Sequence, residues 1–582
     1  MKDTISPITL EIMGNSILSV AEEMGVILVK TAYSTNIKER KDASTAIFDG
    51  KGRMIAQAEH VPMHLGSMRS VVTEILKKYQ IHTIQPGDMF ITNDPYTGGG
   101  THLPDITMVE PVFVEGKIVA FVANIAHHSD IGGKVPGSTS SDAESIFQEG
   151  IRIPLIKICR QGQIVEETIE FILNNTRTPE ERRGDLYAQI SCNKAGTKRM
   201  IEIINKYGKE KFAKYTDGLL DYAENLMRAG IKKLPDGEYS FEDYLDDDGV
   251  ELNKPVPIKV KITIEGDKAI VDFDGTSPQV KGPLNLVLSG TLTTVFYCFK
   301  AIAGPTIFAN EGIYRVIEVK TPKNSIVNCS TPAPVGVRID TAQRIADVIF
   351  GALAKAAPDR VIAACNSSVT SAIFSGVNPK NNNYFVYLET IAGGSGAHHE
   401  NDGLSGVQVH MTNTSNLPVE ALEREYPILV ESYKFAQDSG GPGFHRGGLG
   451  LERRFRMLGD NLSFTGLGER HKFSPWGISG GGSGHPGSFW IQKDGRNKEK
   501  LNSKVSNINL QKDDVIIVIT PGAGGYGNPM ERPIDKVLQD VKEGKVSIES
   551  AKKDYGVIIN EEQLDVDLEA TEKYRNNINP IS

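Results

Sequence analysis

The stretch THLPDITMVEPVFVEGKIVAFVANIAHH, residues 101–128, decides how this chain is read. Strand-like runs at Ile106–Val114 and Lys117–Ala126 flank Glu115-Gly116, the pattern of a β-hairpin. Asp105 opens one arm and His127 closes the other, so two polar residues distant along the chain meet at the open end. Register decides whether they share a face, because side chains alternate along a strand. A two-residue turn at Glu115-Gly116 pairs Pro104 with His127 and sends Asp105 to the opposite side. A three-residue loop ending in a left-handed Gly116, with its bulge, pairs Phe113 with Lys117 and puts Asp105 and His127 on one face. A shared site requires the second register, and that is the expectation.

The residues leading into the hairpin supply a third donor. His102-Leu103-Pro104-Asp105 follows Tyr96-Thr97-Gly98-Gly99-Gly100, where missing side chains let the backbone turn tightly and leave room for a ligand. Pro104 keeps His102 off the strand ladder. Six of the twelve histidines fall between residues 60 and 128, among them His60, His64, His102, His127 and His128 beside several acids. Imidazole with carboxylate suits zinc, manganese or iron, whereas calcium and magnesium prefer oxygen alone. A divalent transition metal held by His102, Asp105 and His127 is the resulting expectation, with Asp42 as the fourth ligand and Glu59 as its alternative. Alternation turns His128 away from His127, which makes it the candidate catalytic group, a proton carrier whose ordinary pKa suits the task. His60 and His64 are the candidates for substrate binding. The competing reading is a set of hydrogen-bonded core histidines, because HxxD followed by HH is less diagnostic than a four-cysteine zinc pattern.

Outward from the hairpin the chain divides into four regions. Residues 1–178 read as an α+β region carrying the metal site, with a helix over Thr9–Thr31, a hairpin around Asp49-Gly50, a helix over Met68–Lys78 and a strand at Met89–Thr92. Residues 179–235 read as a helical connecting segment. Residues 236–530 read as a mixed α/β region, with a hairpin over Val256–Phe273 and a helix from Thr341 to Ala356. Residues 531–582 read as a charged helical tail, most simply a helix pair. The fold class expected is α+β, a large multi-layer protein of β-hairpins and mixed sheets. Three glycine clusters, Gly440–Gly443, Gly480–Gly484 and Gly522–Gly527, read as tight turns, since none ends in the Lys-Ser or Lys-Thr of a phosphate-binding loop. His398-His399-Glu400 reads as a hydrogen-bonded loop pair, with a pocket-lining role as the alternative.

Composition removes other classes. A formal net charge of −9 without a sustained Lys or Arg run offers no field for nucleic acid. The five cysteines lie far apart and form no CxxC, against both a disulfide framework and a thiolate zinc site, so a reducing cytoplasm is expected. The amino terminus lacks the pattern of a signal peptide, and the apolar run Ile118–Ala126 is far short of the roughly 20 residues of a membrane helix, so no membrane partner is expected.

Several segments carry a resemblance. They are Asn36-Ile37-Lys38-Glu39-Arg40, Ala58-Glu59-His60-Val61-Pro62-Met63-His64-Leu65-Gly66, Asn93-Asp94-Pro95-Tyr96, the His102–Asp105 motif and Ala126-His127-His128-Ser129-Asp130-Ile131-Gly132-Gly133. Ser439-Gly440-Gly441-Pro442-Gly443 and Thr520-Pro521-Gly522 add to them. With these segments the chain resembles, nearly end to end, the hydantoinase B/oxoprolinase family, which also includes the large subunit of acetone and acetophenone carboxylases. The resemblance implies an A-type partner subunit that uses ATP and magnesium to phosphorylate the carbonyl oxygen of a lactam, hydantoin or ketone. It implies that this B-type chain carries the metal, at His102, Asp105, His127 and Asp42, and that a metal-bound water opens the activated ring. The expected function is therefore the B-type component of an ATP-dependent cyclic amide hydrolase, of N-methylhydantoinase or 5-oxoprolinase type, active only in a hetero-oligomer. The alternatives are a component of an ATP-dependent ketone carboxylase, disfavoured because those chains are longer, and a non-catalytic scaffold. One departure is Ala523, where the family usually has glycine.

Overall fold

The computed structural model describes residues 5–58, 61–493 and 496–578, so Glu59 and His60 lie outside the described residues. The fold is α+β, as expected. The hairpin of residues 101–128 becomes the middle of a seven-stranded antiparallel sheet in the order β2-β1-β5-β4-β3-β6-β7. Its strands are β1 (Ala43–Asp49), β2 (Met54–Gln57), β3 (Met89–Thr92), β4 (Asp105–Val114), β5 (Lys117–His127), β6 (Ile156–Arg160) and β7 (Gln163–Ile164). β5 is covered on both faces, which explains an almost unbroken apolar run where alternation would mark a half-exposed strand. On one face Ala120, Val122 and Ala126 share a core with Ile17 and Met24 of helix Pro7–Thr31 and with Cys192 and Met200 of helix Pro179–Tyr207. On the other, Phe121, Ala123 and Ile125 share a second core with Phe299 of helix Leu288–Ala303 and Ile345 of helix Arg338–Leu353. Helix Pro7–Thr31 is long and apolar enough to cross a membrane, yet it buries Met13, Ile17, Val20, Met24 and Leu28 inside the fold.

The register of the central hairpin corrects one expectation and keeps its consequence. The turn is the two-residue kind: Val114 pairs with Lys117, and Glu115 and Gly116 take φ of 50° and 72°. Positive φ at both turn residues marks the kind of two-residue turn whose twist matches that of the flanking strands. The extra residue lies one step further on, because Phe113 pairs with Ile118 while Val112 pairs with Ala120, leaving Val119 as a bulge. The shift restores the pairing of Asp105 with His127 and puts both on one face.

Beyond the sheet, helices Pro179–Tyr207 and Lys209–Ile231 lead to the second half of the chain, and the first of them also covers β4 and β5. A second, mixed sheet contains Gly237–Leu245, Val256–Glu265, Lys268–Asp272 and a parallel edge strand, Ile317–Lys320. Helix Arg338–Leu353 packs on this sheet and begins ahead of the expected Thr341, which places Arg338 in its first turn. Two further sheets follow, one built on Ser371–Val377, Tyr384–Thr390, Leu462–Leu467 and Lys504–Leu510, the other on Ile428–Phe435, Leu451–Met457, Val515–Ile519, Ser488–Lys493 and Asn497–Leu501.

The glycine clusters are more than separate tight turns. They pack backbone on backbone: Gly441 N donates to Ala523 O and Gly525 N to Gly482 O. A side chain at Gly522 would put its Cβ 1.8 Å from Ser439 O, so only glycine permits that approach. Ala523 keeps the close approach, since its amide reaches Gly448 O and its methyl is buried. The C-terminal segment holds three helices, Ile534–Lys542, Ile548–Tyr555 and Leu568–Ile578, and a two-stranded ribbon, where a helix pair was expected.

Candidate metal centre

Three elements deliver the expected donors to one point. His102 comes from the loop before β4, Asp105 is the first residue of β4 and His127 the last of β5. One donor atom from each lies within 4.8 Å of the others, and all three residues are buried. His102 Nε2 stands 3.1 Å from Asp105 Oδ1, and the His102 and His127 rings are 4.9 Å apart between centroids.

The donor set fits a cation on two grounds. His102 Nε2 and Asp105 Oδ1 are both buried and neither has a hydrogen-bond partner among the described residues. Leaving such groups unsatisfied costs about 1–3 kcal/mol each, and a shared cation would satisfy both. The tautomer also agrees: His102 Nδ1 lies 3.2 Å from Gly336 O, so the Nδ1–H donates there and Nε2 keeps its lone pair. Burial, and then the Arg338 cation, push His102 below its ordinary value, which keeps the imidazole neutral. For Asp105 burial opposes ionisation, but His102, His64 and Arg338 overcome it and hold the carboxylate well below its usual range.

The neighbours of these three residues come from far along the chain. Arg338 donates from Nη2 to Asp105 Oδ2 at 2.8 Å and from Nε to Thr101 Oγ1 at 2.8 Å. Glu149 receives the amides of Gly336 at 2.7 Å and Val335 at 3.2 Å, and so fixes the peptide whose carbonyl orients His102. Burial pushes the Glu149 carboxyl up to about 8. The Asn36 amide lies 3.1 Å from His127 Nδ1 and donates to the His127 carbonyl at 2.7 Å, while Arg40 bonds the Asn36 oxygen. The Asn36–Arg40 segment of the sequence thus positions His127. None of Asn36, Arg40, Glu149, Gly336 and Arg338 stands out in the sequence as a site residue. Only the first two carry a signal there, as part of a family segment.

The remaining expected residues separate. His64 Nε2 stands 3.3 Å from Asp105 Oδ1 and 3.7 Å from Asp42 Oδ1, so both His64 and Asp42 belong to the site. Burial disfavours charge on His64, but Asp105 and then Asp42 outweigh it and raise its pKa above the ordinary value. His128 faces the other way, with Nε2 3.0 Å from Gln189 Oε1 of helix Pro179–Tyr207. Burial, then Arg182, push it down to about 4, and it does not line the cavity. His398 and His399 form a loop pair, Nε2 to Nδ1 at 3.3 Å, away from the centre.

A cavity of about 60 Å³ adjoins the donors. Asp42, His64, His102, His127 and Arg338 form its polar side, while Ile373 and Leu388 of the third sheet close it with an apolar wall. The first sheet, the start of helix Arg338–Leu353 and the third sheet therefore meet there.

Comparison with known proteins identifies the family. The family model described as Hydantoinase B/oxoprolinase matches residues 6–529. A Pseudomonas sp. protein, named as the B-type component of a D-/L-hydantoinase, is 35% identical over 98% of this chain and 98% of its own length. The crystal structure of the ATP-dependent caprolactamase from Pseudomonas jessenii superposes with a TM-score of 0.92 at 32% identity, covering 98% of this chain and 100% of that one. A nucleotide-free acetone carboxylase structure shares the fold, with a TM-score of 0.93 at 19% identity over 98% of this chain and 83% of that one.

Proposed function

The chain belongs to the hydantoinase B/oxoprolinase family, and we propose that it is the ring-opening half of an ATP-dependent cyclic amide hydrolase. The observation that carries this reading is the pair of buried donor atoms, His102 Nε2 and Asp105 Oδ1, with nothing among the described residues to satisfy them. A zinc, manganese or iron ion held by His102, Asp105 and His127, with Asp42 alongside, would act as a Lewis acid and make a water acidic enough to attack near neutral pH.

The chain's own residues prepare the rest. Arg338 keeps Asp105 ionised, and the Gly336 carbonyl keeps His102 in its donor tautomer. His64, between two carboxylates that favour its charged form, can carry a proton and pass it to the departing ring nitrogen at Nε2. That assigns the proton carrier to His64 in place of His128, which bonds Gln189 on the opposite face. The apolar wall at Ile373 and Leu388 limits water around the reacting carbon.

Activation of the ring by ATP and magnesium belongs, in this reading, to an A-type partner in a hetero-oligomer. The names of the relatives, which describe them as one component of a larger enzyme, support a partner, and the three glycine clusters here are occupied by contacts with one another. The test is to purify the chain with its partner and assay ATP-dependent opening of hydantoins, 5-oxoproline and caprolactam, with and without bicarbonate. His102→Ala is expected to lower ring opening about 100-fold or more while the two chains still elute together. Retained turnover would favour a scaffold, and a strict bicarbonate requirement would favour a carboxylase.

A further inference from the structure

The cavity beside His102 and His127 has a second pole. Arg338 is only 3% exposed, lines the cavity and begins the helix Arg338–Leu353. Its guanidinium is held along one edge, through Nε to Thr101 and Nη2 to Asp105. The remaining amine, Nη1, has no partner among the described residues. A buried guanidinium with donors to spare is matched by an oxyanion, whose lone pairs suit its planar fork.

The surroundings point the same way. Residues 336–340 line the cavity as the first turn of a long helix and the residues just before it, so the positive end of the helix dipole lies on that side, although the amides of Gly336, Val337, Arg338 and Asp340 are already bonded to Glu149, Pro283, Val335 and Val337. The volume of about 60 Å³ gives room for roughly four or five water-sized groups, at about 10–15 Å³ each. A group the size of a tetrahedral oxyanion fits beside Arg338 in that space. Two carboxylates, Asp42 and Asp340, line the same space, with Asp105 close by. Asp105 is already paired with Arg338, and Asp42 stands beside His64. Asp340 accepts the Val369 amide at 2.7 Å through Oδ1, while its buried Oδ2 has no partner among the described residues. Burial pushes Asp340 up to about 6, so it carries a proton, and can donate to an anion, only below that pH.

We propose that Arg338 and the first turn of its helix form an oxyanion subsite that takes the phosphoryl group of the activated substrate, seating the carbon under attack beside His102, Asp105 and His127. This rests on the reading of the chain as the ring-opening half of a hydrolase whose substrate is activated by phosphorylation. The same donors could meet a phosphoryl group on the substrate, free phosphate left after ring opening, or a carboxylate, and the test separates these sources.

Methyl phosphate, inorganic phosphate and acetate are titrated calorimetrically into the purified full chain after incubation with manganese or zinc. Metal content is measured on the same samples. Wild type is expected to bind methyl phosphate and inorganic phosphate, with acetate failing to compete. Arg338→Lys is expected to weaken both phosphates at least 10-fold with the metal retained. Because Arg338 also braces Asp105, Ile339→Glu serves as a second variant, setting a negative charge on the same turn without touching a ligand. It too is expected to lose phosphate and keep metal. Unchanged phosphate binding in either variant overturns the subsite. Acetate competing as well as phosphate, or inorganic phosphate binding without methyl phosphate, overturns the phosphoryl assignment. A wild-type chain that takes up no metal defeats the hydrolase reading instead. In such a chain, phosphate binding that still depends on Arg338 upholds the subsite, and binding indifferent to Arg338 sinks it.

Discussion

Asp105 is the residue on which the centre turns. One of its oxygens faces His102 and His64 without a hydrogen bond, and the other is held by Arg338. Behind His102 stands Glu149, whose folded-state value near 8 lies far above the ordinary 4.5 of a glutamate. Between about pH 5 and 8 the folded chain keeps that proton and the unfolded chain releases it, so stability falls as pH rises through this window. The slope contributed is at most about 1.4 kcal/mol per pH unit. Glu149→Gln removes it: the melting temperature of the variant relative to wild type is expected to improve steadily from pH 5 to pH 8. Parallel curves for the two proteins would show that Glu149 is ionised in the fold. His102, Asp105, His127 and Asp42 were legible in the sequence because metal-binding residue types cluster there. Arg338 and Gly336 were not, because only tertiary packing brings a segment more than two hundred residues away onto the site, and a lone Arg in a helical pattern reads as surface.

At the scale of elements, the hairpin β4–β5 sets the face on which the donors stand. Its existence and both strand spans could be read from apolar runs around Glu115-Gly116. The route to its register could not, because a bulge at Val119 leaves no mark in a run of apolar residues. Two left-handed residues in the turn make it sensitive to substitution. Gly116→Val is expected to cost about 1–2 kcal/mol, since a β-branched side chain resists positive φ. Metal binding is expected to survive, because β5 is also paired along its length with β1, from Ala43 opposite Ala126 to Asp49 opposite Ala120. Chemical denaturation and metal content measured on one sample check both parts. Loss of metal with the fold intact would show that the turn alone fixes the register. Helix Arg338–Leu353 was expected to start at Thr341, and its earlier start matters because Arg338 is where the cavity gains its cation.

Across the whole molecule, the site exists only because distant regions close on it. The second and third sheets are tied together by buried charges: Arg470 reaches Asp243 at 2.8 Å and bonds Asp347, while Lys504 reaches Asp247 at 3.6 Å. Burial opposes charge on Asp347, but Arg470 and the hydrogen bond to His410 hold it below the usual carboxylate range. Asp347→Asn leaves Arg470 with less than its full partner set in a dry interior, and a loss of about 3–5 kcal/mol is expected, read from urea or thermal unfolding. A change under about 1 kcal/mol would mean that Asp243 alone suffices. The fold class followed from pattern, but these ties did not, since charged residues in a sequence read as surface until their partners are known. The most direct test of the account is the metal content of the full chain after gel filtration, for wild type beside His102→Ala and Asp105→Ala. About one equivalent of a divalent transition metal in wild type, lost in both variants, is the expected result. Wild type holding only traces, or variants holding as much as wild type, would contradict it.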